Sequence, residues 1–281
     1  MIHVISDTSS RDARFATLTA FNTMGEQMMH SFLRRTALVI GLWSSAIFTL
    51  HAGDLNIKNI VLVHGAFADG SSWAAVTSRL QAKGYHVTAV QNPLTSLVDD
   101  VAATERVIAR HSGDVLLVGH SWAGAVISQA GNAPNVKGLV YLSALVPDSG
   151  ESVVDLLERL HAPMEGMAAD RDGLLWLDNA DAYHQLMAND LSQYQARLLA
   201  AAQQPIAASA FREKVQHAAW HDKPAWYLLT ENDRALKPDV QAVIARQTGA
   251  RVLRLNASHL SMISHPDAVA TFIDNAARRS L

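Results

Sequence analysis

The stretch Asp114-Val-Leu-Leu-Val-Gly-His-Ser-Trp-Ala-Gly124 restricts the possible folds of this chain more than any other. Val115 to Val118 is a short, apolar, β-branched run, long enough for a buried parallel strand and too short for a helix. Gly119 permits a tight turn, and the residues from Ala123 to Ala130 read as a helix. A serine between such a strand and such a helix sits on a sharp bend. Its hydroxyl is pushed out of the sheet while the neighbouring amides face the same point. Gly119-His120-Ser121-Trp122 matches the first four positions of a Gly-x-Ser-x-Gly elbow. The fifth is Ala123, and glycine arrives one residue later at Gly124. Serine is also a common helix N-cap, which would explain Ser121 without chemistry, so the rest of the chain must decide.

Strands and helices alternate on both sides of this bend. Asn59 to Val63 is a short buried strand running into His64-Gly65-Ala66-Phe67-Ala-Asp-Gly70, and Ser71 or Ser72 is expected to cap a helix carrying Trp73, Val76 and Leu80. A strand over residues 85–90, a helix over 97–109 and a fourth strand over 137–144 complete the first half. This pattern calls for a parallel sheet covered on both faces. It stops at about residue 151, where a segment rich in Ala, Leu and Met, punctuated by Pro163, Gly166, Gly173 and Pro205, reads as a helical insertion reaching to about residue 222. Leu156, Leu157, Met164, Met167, Trp176, Tyr183 and Met187 are its candidates to line a pocket, or to form its own core. Strand pattern resumes over 223–230, followed by a helix from Pro238 to Arg246, a strand from Arg251 to Leu255 and a terminal helix from about Pro266. The expected fold class is α/β, a doubly wound, mostly parallel sheet of about six strands with a helical cap inserted after the fourth.

A serine hydroxyl is a weak nucleophile and needs an imidazole base, with an acid to hold the imidazole in the right tautomer. In a parallel sheet, groups at the carboxyl ends of strands converge on one edge. Ser121, Asp233 and His259 each follow such a strand. His259 comes after the last one, so among 13 histidines it is the candidate base. Asp148, after the fourth strand, is the competing acid. Its Val-Pro-Asp-Ser-Gly context also makes an ordinary turn. The glycine-containing loop after the first strand suits an oxyanion hole, since backbone can approach a substrate oxygen there. His64 and His120 flank glycines and read as packed structural residues. His217 and His221 have metal-ligand spacing but lack the glutamate of a zinc peptidase helix, so no metal is expected. No phosphate loop or dinucleotide fingerprint occurs, and no cofactor is expected.

Four segments carry a resemblance: Val61-Leu-Val-His-Gly-Ala66, Gly119-His-Ser-Trp122, Thr230-Glu-Asn-Asp233-Arg and Ser258-His-Leu-Ser-Met262-Ile-Ser-His-Pro266. Together they resemble the plant methylesterase and hydroxynitrile-lyase branch of the α/β-hydrolases, to which many bacterial secreted hydrolases are similar. The resemblance spans residues 57–278 and is weakest across the cap. It implies Ser121 as nucleophile, His259 as base, Asp233 as its orienting acid, and the amides of Ala66 and Trp122 as the oxyanion hole. Lyases of the branch carry threonine in place of the loop glycine and lysine directly after the catalytic histidine; here those positions are Gly65 and Leu260. The expected activity is therefore hydrolysis of a small carboxylic ester through an acyl-enzyme. The alternatives are lyase-like or C–C bond hydrolase chemistry on the same triad, or a small-molecule receptor of the same fold with little turnover.

The N-terminus bears on compartment. Met28-Met-His-Ser-Phe-Leu-Arg34-Arg35 is a short basic region, followed by the apolar run from Thr36 to Leu50 and then His51-Ala52-Gly53. That is the layout of a signal peptide over residues 28–52, cleaved after Ala52 or after the earlier Ser44-x-Ala46. Periplasmic or secreted location is expected, with an uncleaved membrane anchor as the alternative, and the paired arginines also admit twin-arginine export. Residues 1–27 are polar and patternless and read as an upstream extension, translation starting at Met28 or Met29. Removing residues 1–52 takes away four arginines and three acids, moving the net charge from −3 to −4. A mildly acidic domain of this kind has no basic face for nucleic acid, and no membrane contact beyond the leader is expected. With no cysteine, a disulfide framework and a thiol nucleophile are excluded.

Overall fold

A computed structural model describes residues 57–164 and 166–279. The expected leader and upstream extension, residues 1–52, lie outside the described residues. Six strands, β1 (Asn59–Val63), β2 (His86–Val90), β3 (Val115–His120), β4 (Val136–Leu142), β7 (Ala225–Thr230) and β8 (Arg251–Leu255), form one sheet in the order β2-β1-β3-β4-β7-β8. Every pairing is parallel. The central strands β1, β3 and β7 are buried along their whole length, which is why they read as unbroken apolar runs. β8 is one of the two edge strands and is exposed at Arg251, Val252, Leu253 and Arg254.

The first half alternates as the sequence leads one to expect. α1 (Ala74–Ala82), α2 (Leu97–Ile108) and α3 (Ala123–Ala130) follow β1, β2 and β3. Trp73, Val76 and Leu80 are fully buried, as their helical spacing requires. The cap of that first helical segment differs from expectation. Asp69, not Ser71 or Ser72, is the capping residue: its carboxylate accepts from the Ser71 amide at 2.6 Å and starts a 3-10 turn, Gly70–Trp73, ahead of α1. The turn begins ahead of both serines, so they lie inside it, and Ser72 Oγ donates back to Asp69 O at 2.7 Å instead of accepting from an amide.

Between β4 and β7 lie α4 (Val153–Arg159), α5 (Ala180–Met187), α6 (Gln193–Ala202) and two 3-10 turns. A two-stranded antiparallel pair, β5 (Leu174–Leu175) with β6 (Ile206–Ala207), also occurs there, which a purely helical reading of the segment misses. These strands are two residues each, too short for a period-two pattern to register. After β7 come α7 (Pro238–Gln247), β8, the single turn α8 (Ser261–Ser264) and α9 (Pro266–Arg279). Among the described residues no helix is long and apolar enough to cross a membrane.

Candidate active site

Ser121 occupies the bend between β3 and α3 with φ of 54°, in the left-handed region that L-residues avoid. Such backbone costs about 1–3 kcal/mol and persists only where its surroundings over-determine it. Three hydrogen bonds do so. The Ser121 amide donates to Leu142 O at 3.1 Å, and its carbonyl accepts from the amides of Gly124 at 2.9 Å and Leu145 at 3.0 Å. An ordinary N-cap serine sits in extended backbone, so capping does not account for this one.

The displaced glycine of the elbow has a steric reason. A Cβ on Gly124 would lie 2.3 Å from Leu145 O, whereas Ala123 is buried with its methyl accommodated. Close approach of α3 to the end of β4 thus falls on position 124. Gly65 is a second close approach. A Cβ there would lie 2.8 Å from Ser121 Cβ and 2.9 Å from His120 O, so the loop after β1 rests directly on the elbow.

Asp233 and His259 follow β7 and β8 and meet in the buried interior. His259 Nδ1 lies 2.7 Å from Asp233 Oδ2, with the two side chains 2% and 0% exposed. Asp233 is held on every side. Its Oδ1 accepts from the amides of Ala235 (2.9 Å) and Leu236 (2.8 Å), and its Oδ2 from Thr230 Oγ1 and Gln241 Nε2, both at 2.9 Å. A carboxylate with this many donors stays an acceptor, so His259 carries its proton on Nδ1 and turns a lone pair on Nε2 away from the acid. Asp148 takes no part. It pairs at 2.7 Å with His221 on the surface.

The two histidines beside glycines are buried scaffolding. The Asn92 amide donates to His64 Nε2 at 3.0 Å, which leaves Nδ1 as the nitrogen donating to Gly65 O at 2.9 Å. His120 donates from Nε2 to His259 O at 2.9 Å, and its ring lies 4.6 Å from the His259 ring. Burial lowers the pKa of both, that of His120 strongly, and so favours the neutral form.

Ser121, His259, Ala66 and Trp122 line one cavity of about 340 Å³. Its walls are apolar: Phe67, Leu145 and Phe211 from the core side, and Leu157, Met164, Met167, Leu177 and Met187 from the segment between β4 and β7. Arg234 and Lys237 lie on one side. Of the residues expected to line a pocket, Leu156 and Tyr183 are packed away in the core and Trp176 is partly exposed outside the cavity.

A family model described as the alpha/beta hydrolase family matches residues 60–272. The chain belongs to this family. The hydrolase is 30% identical over 248 residues to the alpha/beta hydrolase nvfD of Aspergillus novofumigatus, covering 79% of this chain and 97% of that one. It is 36% identical over 109 residues to a pyrethroid hydrolase of Sphingobium wenxiniae, a match covering 34% of this chain and 39% of the relative. Its fold is similar to that of polyneuridine aldehyde esterase, with a TM-score of 0.68 at 19% identity over 78% of this chain and 99% of that one. The resemblance to the plant branch thus holds as a likeness of fold, within the alpha/beta hydrolase family.

Several residues of the hydrolase's site escape a reading of the sequence. The indole of Trp122 donates at 2.7 Å to Asp100, a fully buried acid on α2. Asp100 also accepts from the Leu94 amide at 2.8 Å, and burial pushes its carboxyl up to about 6 against the pull of these two bonds. The signal was present: Asp100 falls on the same helical face as Leu97, Thr104 and Ile108. Tyr183 donates to Phe67 O at 3.0 Å and so fixes the loop of Gly65 and Ala66 from above. Gln241, which holds Asp233, had no signal beyond its place in the first turns of α7. His217, with the spacing of a metal ligand, pairs instead with Asp222 at 2.6 Å.

Proposed function

We propose that this hydrolase cleaves small carboxylic esters through an acyl-enzyme on Ser121. The observation that carries the reading is the buried Asp233–His259 hydrogen bond, opening with the strained Ser121 onto one apolar cavity. Ser121 Oγ attacks the ester carbonyl carbon while His259 Nε2 takes the hydroxyl proton. The amides of Ala66 and Trp122 stabilise the oxyanion. The carbon–oxygen bond to the alcohol then breaks, and His259 returns the proton to the leaving oxygen. Water, deprotonated by the same imidazole, attacks the acyl carbon and releases the acid and Ser121. Asp233 fixes the tautomer and stabilises the imidazolium in both halves.

The pocket's size and apolar walls suit a compact ester with hydrocarbon substituents. Esterase rather than lyase chemistry is supported by Gly65, where a side chain would collide with the elbow, and by Leu260, which stands where lyases of the branch carry lysine and is buried. A relative named as a carbendazim hydrolyzing esterase, 32% identical over 123 residues, adds weight to the same reading. The leader pattern of residues 28–52 supports export to the periplasm or beyond. The test is turnover of p-nitrophenyl acetate with and without a serine-directed phosphonate. Turnover that the phosphonate abolishes is expected; binding of esters without turnover would make the protein a receptor. Mandelonitrile should release no cyanide above background, and efficient release would return the assignment to a lyase.

A further inference from the structure

The turn that leaves α5 reaches down to the loop carrying His259 and grips it on both sides. Met187 O accepts from the Leu260 amide at 3.2 Å and from Ser258 Oγ at 3.3 Å. Asp190 accepts from the Ser258 amide at 2.9 Å through Oδ2, and from Ser258 Oγ through Oδ1. The residues immediately before and after His259 are thus both bonded to the segment between β4 and β7. The same turn touches the acid's loop as well, since Asn189 Nδ2 donates to Asn232 O at 3.2 Å, one residue before Asp233. On its other side the His259 backbone is bonded to the core, through His120.

Asp190 is the centre of this clasp. Its side chain is only 19% exposed, with His265 Nδ1 3.6 Å away, and the Ser258 it holds is fully buried. A carboxylate bonding one residue through both its amide and its hydroxyl fixes that residue's backbone as well as its side chain, and charge-assisted bonds of this kind are the strong ones. His259 itself makes one side-chain bond, to Asp233. The distance from its Nε2 to Ser121 is therefore set by where its backbone sits.

We propose that Asp190 is a positioning residue for ester hydrolysis: it locks the His259 loop to the cap, so that seating of the cap and placement of the imidazole are one event. This rests on the reading of His259 as general base. Proton transfer is steep in distance, and a displacement of about 1 Å can cost about a hundredfold in rate. An asparagine at 190 would keep one accepting oxygen for the Ser258 amide but replace both charge-assisted bonds by weaker neutral ones, with the Ser258 hydroxyl turned to Met187 O, loosening the loop without emptying the site.

The experiment compares wild type, Asp190→Asn, Asp190→Glu, Ser258→Ala and His259→Ala by thermal melt, by kcat and KM on p-nitrophenyl acetate, and by inactivation with diisopropyl fluorophosphate. The inhibitor is small and reports the Ser121–His259 couple rather than the shape of the pocket. For Asp190→Asn, kcat and the inactivation rate should fall together, by about ten- to a hundredfold, with KM within about twofold and the protein folded at the assay temperature. Ser258→Ala, which keeps the amide bond to Asp190, should lose less on both readouts and covers the case in which Asp190→Asn does not fold. Asp190→Glu, retaining the carboxylate, should recover part of the loss. Unchanged kcat in folded Asp190→Asn, or in Ser258→Ala where that is the folded variant, would overturn the proposal. So would a loss confined to KM with the inactivation rate intact, which would make Asp190 a pocket residue. His259→Ala separates the two claims. If it keeps wild-type activity, the base assignment fails; if it is inactive while the Asp190 and Ser258 variants are untouched, only the clasp fails.

Discussion

Replacing Asp233 with asparagine changes one oxygen to an amide nitrogen in a side chain that accepts five hydrogen bonds. The asparagine keeps a single accepting oxygen. The Ala235 and Leu236 amides are fixed in the backbone, so that oxygen stays with them and the new Nδ2 faces Thr230, Gln241 and His259. The threonine hydroxyl can rotate, but the Gln241 amide cannot turn over, because its Oε1 accepts from the Thr230 amide at 3.1 Å and its Nε2 donates to Leu236 O at 2.7 Å. The imidazole can meet an N–H only by presenting a lone pair on Nδ1, which moves its proton to Nε2, the nitrogen needed as a base. In a serine protease this change of tautomer costs about four orders of magnitude in kcat. Exchange of charge-assisted for neutral bonds costs a further ~1–3 kcal/mol of stability, a fall in Tm of a few degrees for a domain of this size. We expect Asp233→Asn to lose at least about a hundredfold in kcat on p-nitrophenyl acetate while remaining folded at 25 °C. Asp148→Asn, whose carboxylate pairs with His221 at the surface, should stay within about tenfold of wild type. The reverse ranking, in two proteins folded at the assay temperature, would refute the assignment of the acid.

Gly65→Ala places a methyl 2.8 Å from Ser121 Cβ, so the loop bearing Ala66 must move; kcat should fall by about a hundredfold or more through loss of an oxyanion donor, checked against the thermal melt. Asp100 has its carboxyl pushed up to about 6 from 3.8 by burial, so the folded protein binds a proton more tightly than the unfolded chain and wild-type stability falls as pH rises between those values. The stability of Asp100→Asn relative to wild type should therefore increase by about 2–3 kcal/mol from pH 4 to pH 7.5, measured by denaturant melts; a pH-independent difference would contradict the burial argument. Protein isolated from the native envelope should begin between about residues 46 and 54 by intact mass, and a retained leader in soluble cytoplasm would exclude export.

The fold was legible where local pattern and tertiary role coincide. β1, β3 and β7 are buried on both faces, so each is a short unbroken apolar run. Glycine at 119 and 124 marks the bend because no side chain fits at 124. The convergence of Asp233 and His259 could be anticipated because a parallel sheet brings its strand ends to one edge. What could not be read was either the residue at which a turn begins or a contact distant in the chain. Asp69 displaced the serines as a cap because the turn begins at Gly70 and takes both serines inside it. Gln241, Tyr183 and Asp190 act on groups 8, 116 and 68 residues away, and nothing in their local sequence announces those partners. The cavity wall is a further case, since Leu156 and Leu157 are adjacent in sequence and only Leu157 faces the cavity.

The most direct test of the central claim is to find the atom that carries the acyl group. Brief reaction with p-nitrophenyl acetate at low pH, or with a fluorophosphonate at neutral pH, followed by peptide mass spectrometry, should place one adduct per chain on the peptide containing Gly119-His-Ser121-Trp122. Ser121→Ala should carry none and turn over no ester. An adduct on another residue, or full turnover by Ser121→Ala, would contradict the mechanism outright.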